Sequence, residues 1–327
     1  MIFEAVGLIG NTLILLASIA VLIMASELTI SNSIKVSDLS GFGKTTVGFI
    51  LVGFATSLPE FSVSVFAVIN PETVGVSIGN VLGSNVVNIA LILGVCILLM
   101  VLKRPRFPSF VLTVAKEEMG NLHFGLFIAS IIPLALLYIG YASRFIGVLL
   151  TGIFIFNMIQ LARVKKTGKG VASSEKRRTR RYVSLALVGA SVVIASAFFI
   201  VESSSFFATS VGVPPVIIGA TIVAFGTSIP EFATSVSSVR KGFFDLALGN
   251  IVGSCFINIT LILGVALMAS PLSISIAAFS NIALFSLITN LFLWYFLSNE
   301  RMSWREGTLF IVLYAVFLVV SFGGLNP

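Results

Sequence analysis

Residues 48–64 read GFILVGFATSLPEFSVS, and residues 219–235 read GATIVAFGTSIPEFATS. Each string sets Thr-Ser, a proline and a glutamate inside an apolar run. A second pair follows: residues 79–95 read GNVLGSNVVNIALILGV, and residues 249–265 read GNIVGSCFINITLILGV. Two strings that recur in the same order mark a chain made of two copies of one unit. Composition says which kind of unit. Of 327 residues, 57% are hydrophobic and 10% charged, and the mean hydropathy is +1.10. A soluble domain carries about 25% charged residues; a soluble fold with so few could not cover its surface. A soluble enzyme, a nucleic-acid-binding protein and a disordered regulator are thereby excluded. An outer-membrane barrel is excluded as well, because barrel strands alternate apolar and polar residues and these runs do not.

A membrane-spanning helix needs about 20 apolar residues. Stretches of that kind lie near 5–30, 45–69, 74–101, 119–140, 143–163, 183–208, 214–239, 245–269, 275–298 and 304–323. The opening MIFEAVGLIG has no positive n-region, so it reads as the start of the first span rather than a cleaved signal. The net charge of +7 is concentrated in one place: Arg163, Lys165, Lys166, Lys169, Lys176, Arg177, Arg178, Arg180 and Arg181 oppose Glu175 alone. A basic cluster beside a span marks a cytoplasmic loop. With that loop inside and five spans before it, the N-terminus lies outside. Lys35, Lys44, Lys103, Arg104, Arg106, Lys116, Arg240, Lys241, Arg301 and Arg305 then also fall inside, and Arg144 alone falls outside. Five is an odd number, so the halves cross the membrane in opposite senses.

The expected fold is an all-α integral membrane protein of the cell (plasma) membrane. It has ten transmembrane helices in two inverted-topology five-helix repeats. Residues 1–164 form the first repeat, with motifs 48–64 and 79–95. Residues 165–182 form a basic cytoplasmic loop. Residues 183–327 form the second repeat, with motifs 219–235 and 249–265. Cys96 and Cys255 lie in apolar segments and give no disulfide framework.

The first motif holds Thr56, Ser57, Pro59 and Glu60, and its copy holds Thr227, Ser228, Pro230 and Glu231. Proline lacks an N–H and frees the carbonyl four residues earlier, at Ala55 and Gly226. Gly53 and Gly226 weaken the helices further. Irregular backbone at membrane depth persists only where it is buried in protein or lines a cavity. A carboxylate at that depth is costly and marks an ion or proton path. Hydroxyls, carbonyls and carboxylates are the oxygen ligands that hard cations such as Ca²⁺ take, and Na⁺ likewise. The second motif adds Ser84 with Asn88 and Ser254 with Asn258, each pair spaced i,i+4 on one helix face. Gly79, Gly83, Gly249 and Gly253 have the small-xxx-small spacing that lets helices touch. Asn80, Asn85 and Asn250 read as packing or supporting groups. Glu27 and Glu202 read as helix-end groups, Asp245 as a helix N-terminal group and His123 as structural. Ser57 and Ser228 lack a histidine base, and no GxxxxGK[ST] phosphate loop occurs. The chain is therefore not expected to be an enzyme or to carry a cofactor.

The paired strings GFATSLPEF with GNVLGSNVVN, and AFGTSIPEF with GNIVGSCFIN, resemble the two alpha-repeats of the cation/calcium exchanger superfamily. The similarity is greatest to prokaryotic sodium/calcium exchangers and spans the whole ten-helix plan. It implies a secondary active antiporter that exchanges Na⁺ for Ca²⁺ by alternating access at a shared midplane site. It also implies the ion ligands: Thr56, Ser57, Glu60, Thr227, Ser228 and Glu231, the backbone carbonyls of Gly53 and Ala224, then Ser84, Ser254, Asn88 and Asn258. Partners are then Ca²⁺ and Na⁺ as substrates and the lipid bilayer, with no nucleic acid and no protein partner implied. Helices 1 and 6 are expected, by the same resemblance, to slide as a gate. The alternative is a proton-coupled exporter of Ca²⁺ or another divalent cation. Proton-coupled relatives usually carry a glutamate after the second-motif GN, where this chain has Val81-Leu82-Gly83. Some relatives, including potassium-dependent exchangers, have Asp where this chain has Asn258. Two carboxylates then neutralise one Ca²⁺, and potassium co-transport is disfavoured. A channel would show no counter-flux, and a scaffold would not need two glutamate-bearing broken helices.

The charge asymmetry makes a testable statement. Ser174→Cys, in a chain with Cys96 and Cys255 replaced, should react with membrane-impermeant thiol reagents only from the cytoplasmic side. Labelling from outside intact cells would overturn the orientation.

Overall fold

The structure is a computed structural model that describes residues 6–40, 56–69, 73–102, 109–111, 116–162, 175–242, 244–270, 272–273, 276–299 and 301–323. It is all-helical apart from four very short strands. In chain order the helices are α1 (Gly7–Ser40), α2 (Leu58–Ala67), α3 (Val74–Val86), α4 (Gly94–Leu102), α5 (Lys116–Ile139), α6 (Arg144–Ala162), α7 (Glu175–Ser210), α8 (Pro215–Ile218), α9 (Ala224–Thr227), α10 (Ile229–Arg240), α11 (Phe244–Ile257), α12 (Leu263–Ala269), α13 (Ile276–Ser298) and α14 (Trp304–Gly323). Three π-helical stretches join them without a break. Val87–Leu93 links α3 to α4, Gly219–Val223 links α8 to α9, and Asn258–Ile262 links α11 to α12.

Seven of these helical elements are long and apolar enough to cross a membrane, and an eighth is the pair Pro215–Thr227 and Ile229–Arg240, bent by 45°. Leu58–Ala67 and Arg144–Gln160 are shorter apolar helices. Of the helix expected over 45–69, only the part from Thr56 onward lies among the described residues, and Gly53 lies outside them. Two helices are longer than expected. α1 runs on to Ser40, and α7 begins at Glu175 inside the basic segment. Those added turns are rich in Ser, Lys and Arg, so a search for apolar runs does not register them.

Burial sorts the helices. The apolar window of Leu246–Ala269 is 83% buried and that of Val74–Leu102 is 67%, whereas Gly7–Thr29 and Trp304–Gly323 reach only 22%. The two second-motif helices thus form the centre. The main core gathers Val81, Leu82, Ile89, Leu93, Leu248, Ile251, Ile259 and Ile262 with Phe310 and Phe317 of α14. A second cluster joins α1, α2, α7 and α8 through Leu15, Leu22, Val63, Val193, Ile200 and Ile218.

Small residues set the close contacts. A Cβ on Gly79 would collide with the Val216 carbonyl, and one on Gly83 with the Ala220 carbonyl. This presses α3 against α8 and the π turn after it, which run in the same direction. α1 and α7 pack antiparallel. Gly189 sits against Ala25 and Thr29, and Lys35 lies 5.3 Å from the Tyr182 ring. The strands clip loops together: β1 (Ser109–Val111) pairs antiparallel with β4 (Arg301–Ser303), and β2 (Tyr141–Ala142) with β3 (Leu272–Ser273). After β4, Ser303 caps α14 while its N–H donates to Glu306 Oε2 at 2.6 Å, a reciprocal cap written in the string SWRE.

Gly83→Val should destabilise the fold, because overpacking against rigid backbone costs roughly 1–3 kcal/mol. Gly249→Ala should be tolerated, since a Cβ there meets nothing within 4 Å. Thermal unfolding in detergent should show a clear loss for the first and little change for the second; equal losses would contradict the packing described.

Candidate functional site

Two serines mark the breaks in the first-motif helices. Ser57 precedes α2 with φ −82° and ψ 5°, and Ser228 precedes α10 with φ −84° and ψ 5°. Each is followed by Leu or Ile and then proline, whose missing N–H is tolerated in a first turn. The helices restart in the same way: Phe61 N–H donates to the Ser57 carbonyl at 3.0 Å and Phe232 N–H to the Ser228 carbonyl at 3.0 Å. Glu60 and Glu231 therefore occupy equivalent places in the first turns of α2 and α10. There the helix N-terminus favours negative charge.

The halves are joined by crossed hydrogen bonds. The Ser228 hydroxyl donates to Glu60 Oε1 at 3.0 Å, and the Ser57 hydroxyl reaches Glu231 Oε1 at 3.4 Å. Ser254 brings its oxygen to 3.3 Å from that of Ser57. Thr56 also lies against the Glu231 carboxylate and Thr227 against that of Glu60, and the two carboxylates feel one another's charge. Both glutamates are essentially fully buried, as are Thr56, Ser57, Thr227, Ser228, Ser84, Ser254, Asn88 and Asn258.

Several of these buried groups have an atom that makes no hydrogen bond among the described residues: Glu60 Oε2, Glu231 Oε2, Ser84 Oγ, both amide atoms of Asn88, and Asn258 Oδ1. Leaving a buried polar atom unpaired costs about 1–3 kcal/mol each, more when charged. Such a cluster is suited to holding an ion or ordered water. Asn88 lies in one π-helical stretch and Asn258 opens another; π turns of this sort occur often at functional sites. Among the described residues no three of His, Cys, Asp or Glu come together. The arrangement is two carboxylates amid neutral oxygens, which suits a hard cation.

Of the residues expected as ligands, Thr56, Ser57, Glu60, Thr227, Ser228, Glu231 and Ser254 meet across the halves. Ser84 and Asn88 are buried on the same central helix. Ala224 is placed differently from a bare ligand: its carbonyl accepts the Ser228 N–H at 3.1 Å and the Thr227 hydroxyl at 3.2 Å. Two of the asparagines read as packing or supporting groups take the supporting role. Asn80 accepts from Thr227 at 3.0 Å and donates to the Glu60 carbonyl and to Ser64, both at 3.1 Å. Asn85 accepts from Asn258 Nδ2 at 3.1 Å. The recurrence of Asn80 as Asn250 was the available signal for that residue; Asn85 does not recur, its counterpart being Cys255. Outside the cluster, Glu27 is exposed on α1, Glu202 is half-buried on α7, and the His123 ring lies 4.9 Å from that of Trp294. The Asp245 side chain lies outside the described residues.

Comparison with known proteins places this geometry. The sequence profile described as "Sodium/calcium exchanger protein" matches residues 10–161 and 181–323. The sodium/calcium exchanger MaX1 of Methanosarcina acetivorans is 32% identical over 95% of this chain and 98% of its own length. The inner membrane protein YrbG of Escherichia coli is 29% identical over 84% of each. Among solved structures, an H⁺/Ca²⁺ exchanger named CAX superposes with a TM-score of 0.76 at 17% identity, covering 96% of this chain and 87% of that one. The sodium/calcium exchanger of Methanococcus jannaschii superposes with a TM-score of 0.65 at 24% identity, covering 95% and 98%. At these identities the structural likeness establishes the fold alone.

The crossed bonds predict matched losses. Ser57→Ala and Ser228→Ala should each weaken Ca²⁺ binding by about tenfold or more, since hydrogen bonds to a charged group contribute roughly 1.5–3 kcal/mol. Equilibrium ⁴⁵Ca²⁺ binding to purified protein checks this. Wild-type affinity in both variants would mean the serines do not serve the bound ion.

Proposed function

The chain belongs to the sodium/calcium exchanger protein family, and we propose that it is a secondary active antiporter exchanging Na⁺ for Ca²⁺. One observation carries the proposal: two buried carboxylates from equivalent helix N-termini, each bonded by the serine of the other half, amid unpaired buried oxygens. One Ca²⁺ or several Na⁺ occupy this shared site. Glu60 and Glu231 supply charge. Thr56, Ser57, Thr227, Ser228, Ser84, Ser254, Asn88 and Asn258 supply neutral oxygens, and the Gly53 and Ala224 carbonyls complete the set. For Ala224 to do so, its two present hydrogen bonds must be exchanged for the ion. CAX is named for H⁺/Ca²⁺ exchange, so proton coupling is the second reading; the absence of a glutamate at Val81-Leu82-Gly83 favours Na⁺.

The same proposal takes the architecture as ten spans in two inverted repeats. Leu58–Ala67 with the residues before it, and Arg144–Gln160, then complete the count. Parity supports this. Spans one and six must run antiparallel, and α1 and α7 do. Spans three and seven must run parallel, and α3 and α8 do. The β1–β4 clip then joins two inside loops and the β2–β3 clip two outside loops, as ten spans require. The N-terminus is placed outside, the 165–182 segment in the cytoplasm and the protein in the plasma membrane. Alternating access follows when two equivalent halves exchange conformations around one fixed site.

⁴⁵Ca²⁺ uptake into proteoliposomes tests the coupling. An outward Na⁺ gradient should drive uptake, and an equal H⁺ gradient should not. Glu60→Gln and Glu231→Gln should each abolish the flux in well-folded protein. Uptake driven by H⁺ and indifferent to Na⁺ would establish the second reading instead.

A further inference from the structure

The two ligand asparagines are not held alike. Asn258 donates its Nδ2 to Asn85 Oδ1 at 3.1 Å, and its own Oδ1 is buried without a partner among the described residues. Asn88, at the equivalent place in the other half, has neither amide atom paired there. The difference traces to one position. The second motif reads Gly-Ser-Asn at 83–85 and Gly-Ser-Cys at 253–255. Beside Asn88 lies the Cys255 thiol, a weak hydrogen-bonding group, where Asn258 has a full amide.

An amide side chain has one end that attracts cations and one that repels them, and the ends are nearly equal in shape. A ligand asparagine is useful only when its oxygen faces the ion. We infer that Asn85 is a positioning residue for the ion site: by accepting the Asn258 Nδ2 protons, it commits the Asn258 carbonyl oxygen to the bound cation. Asn85 is fully buried, so bulk solvent does not reach that acceptor. Its own Nδ2 is buried and unpaired, so among the described residues the bond to Asn258 is the one side-chain hydrogen bond it makes. Asn88 has in that place only the Cys255 thiol, a weaker partner than an amide. The halves thus contribute one amide held by a full amide partner and one held by a weak thiol. Pre-organisation of a ligand raises affinity by removing that ordering cost.

The inference rests on the cation-site reading above, and the test separates the two. An aspartate at 258 has oxygen at both ends, so orientation no longer matters there. Equilibrium ⁴⁵Ca²⁺ binding is measured for wild type, Asn85→Leu, Asn85→Cys, Asn258→Asp, and each Asn85 variant combined with Asn258→Asp. Asn85→Cys reproduces the side chain found at 255 and guards against a leucine variant that fails to fold. Both Asn85 variants should raise the Kd by about tenfold in the native background, the worth of one ordinary hydrogen bond. The same changes should alter it by less than about twofold when residue 258 is aspartate, which itself should still bind Ca²⁺. Equal losses in both backgrounds would make Asn85 a packing residue and overturn the inference, as would no loss in the native one or no binding by Asn258→Asp. Glu60→Gln serves as the separate control: if it binds Ca²⁺ like wild type, the site reading itself fails, whatever Asn85 does.

Discussion

Glu60 and Glu231 place two like charges beside each other, out of water. Moving one carboxylate into a low-dielectric interior costs several kcal/mol even after relaxation, and a neighbouring carboxylate adds to the cost. The surroundings can be understood as the answer to this constraint. Each carboxylate sits in the first turn of a helix, where the peptide dipoles oppose its charge. Each is bonded by a serine hydroxyl from the other half. Neither device neutralises the pair; in the proposed function a bound cation does so, and in the proton-coupled reading protons do.

The fold supplies what that pair requires. Membrane-depth backbone must be satisfied internally, so a helix can be interrupted only inside a protein shell. The two most buried helices, α3–α4 and α11–α12, provide the shell. Their glycines allow α3 to approach α8 closely enough for Asn80 to reach both Thr227 and the Glu60 carbonyl. One asparagine therefore ties a broken helix of each half to the central one. Its counterpart Asn250 donates only to Ser235 among the described residues and is partly exposed. The two halves are thus alike in sequence but not in every contact.

Much of this was legible beforehand because the repeat is strong. Pro59 and Pro230 announced the breaks, and the structure bends at Ser228 by 45°. The apolar run near 304–323 matched α14, whose start at Trp304 the reciprocal cap in SWRE explains. What was not legible has a common cause. Hydropathy registers only apolar length, so the polar ends of α1 and α7 went unseen. Inside a uniformly apolar run, nothing in side-chain spacing separates an i→i+5 turn from an i→i+4 one, so the π stretches at Val87–Leu93 and Asn258–Ile262 left no trace. The supporting roles of Asn80 and Asn85 depend on contacts between halves, which spacing along one helix does not encode. The strand clips are too short to register as strands.

The central claim is that one cation is held jointly by the two halves. Diffraction from crystals grown in Ca²⁺, with anomalous differences measured above the calcium edge, tests it most directly. The account predicts a single peak between α2 and α10, with oxygens of both Glu60 and Glu231 at about 2.3–2.6 Å, the usual range for Ca²⁺. Two separate peaks, each served by one glutamate, or a peak remote from both, would contradict it.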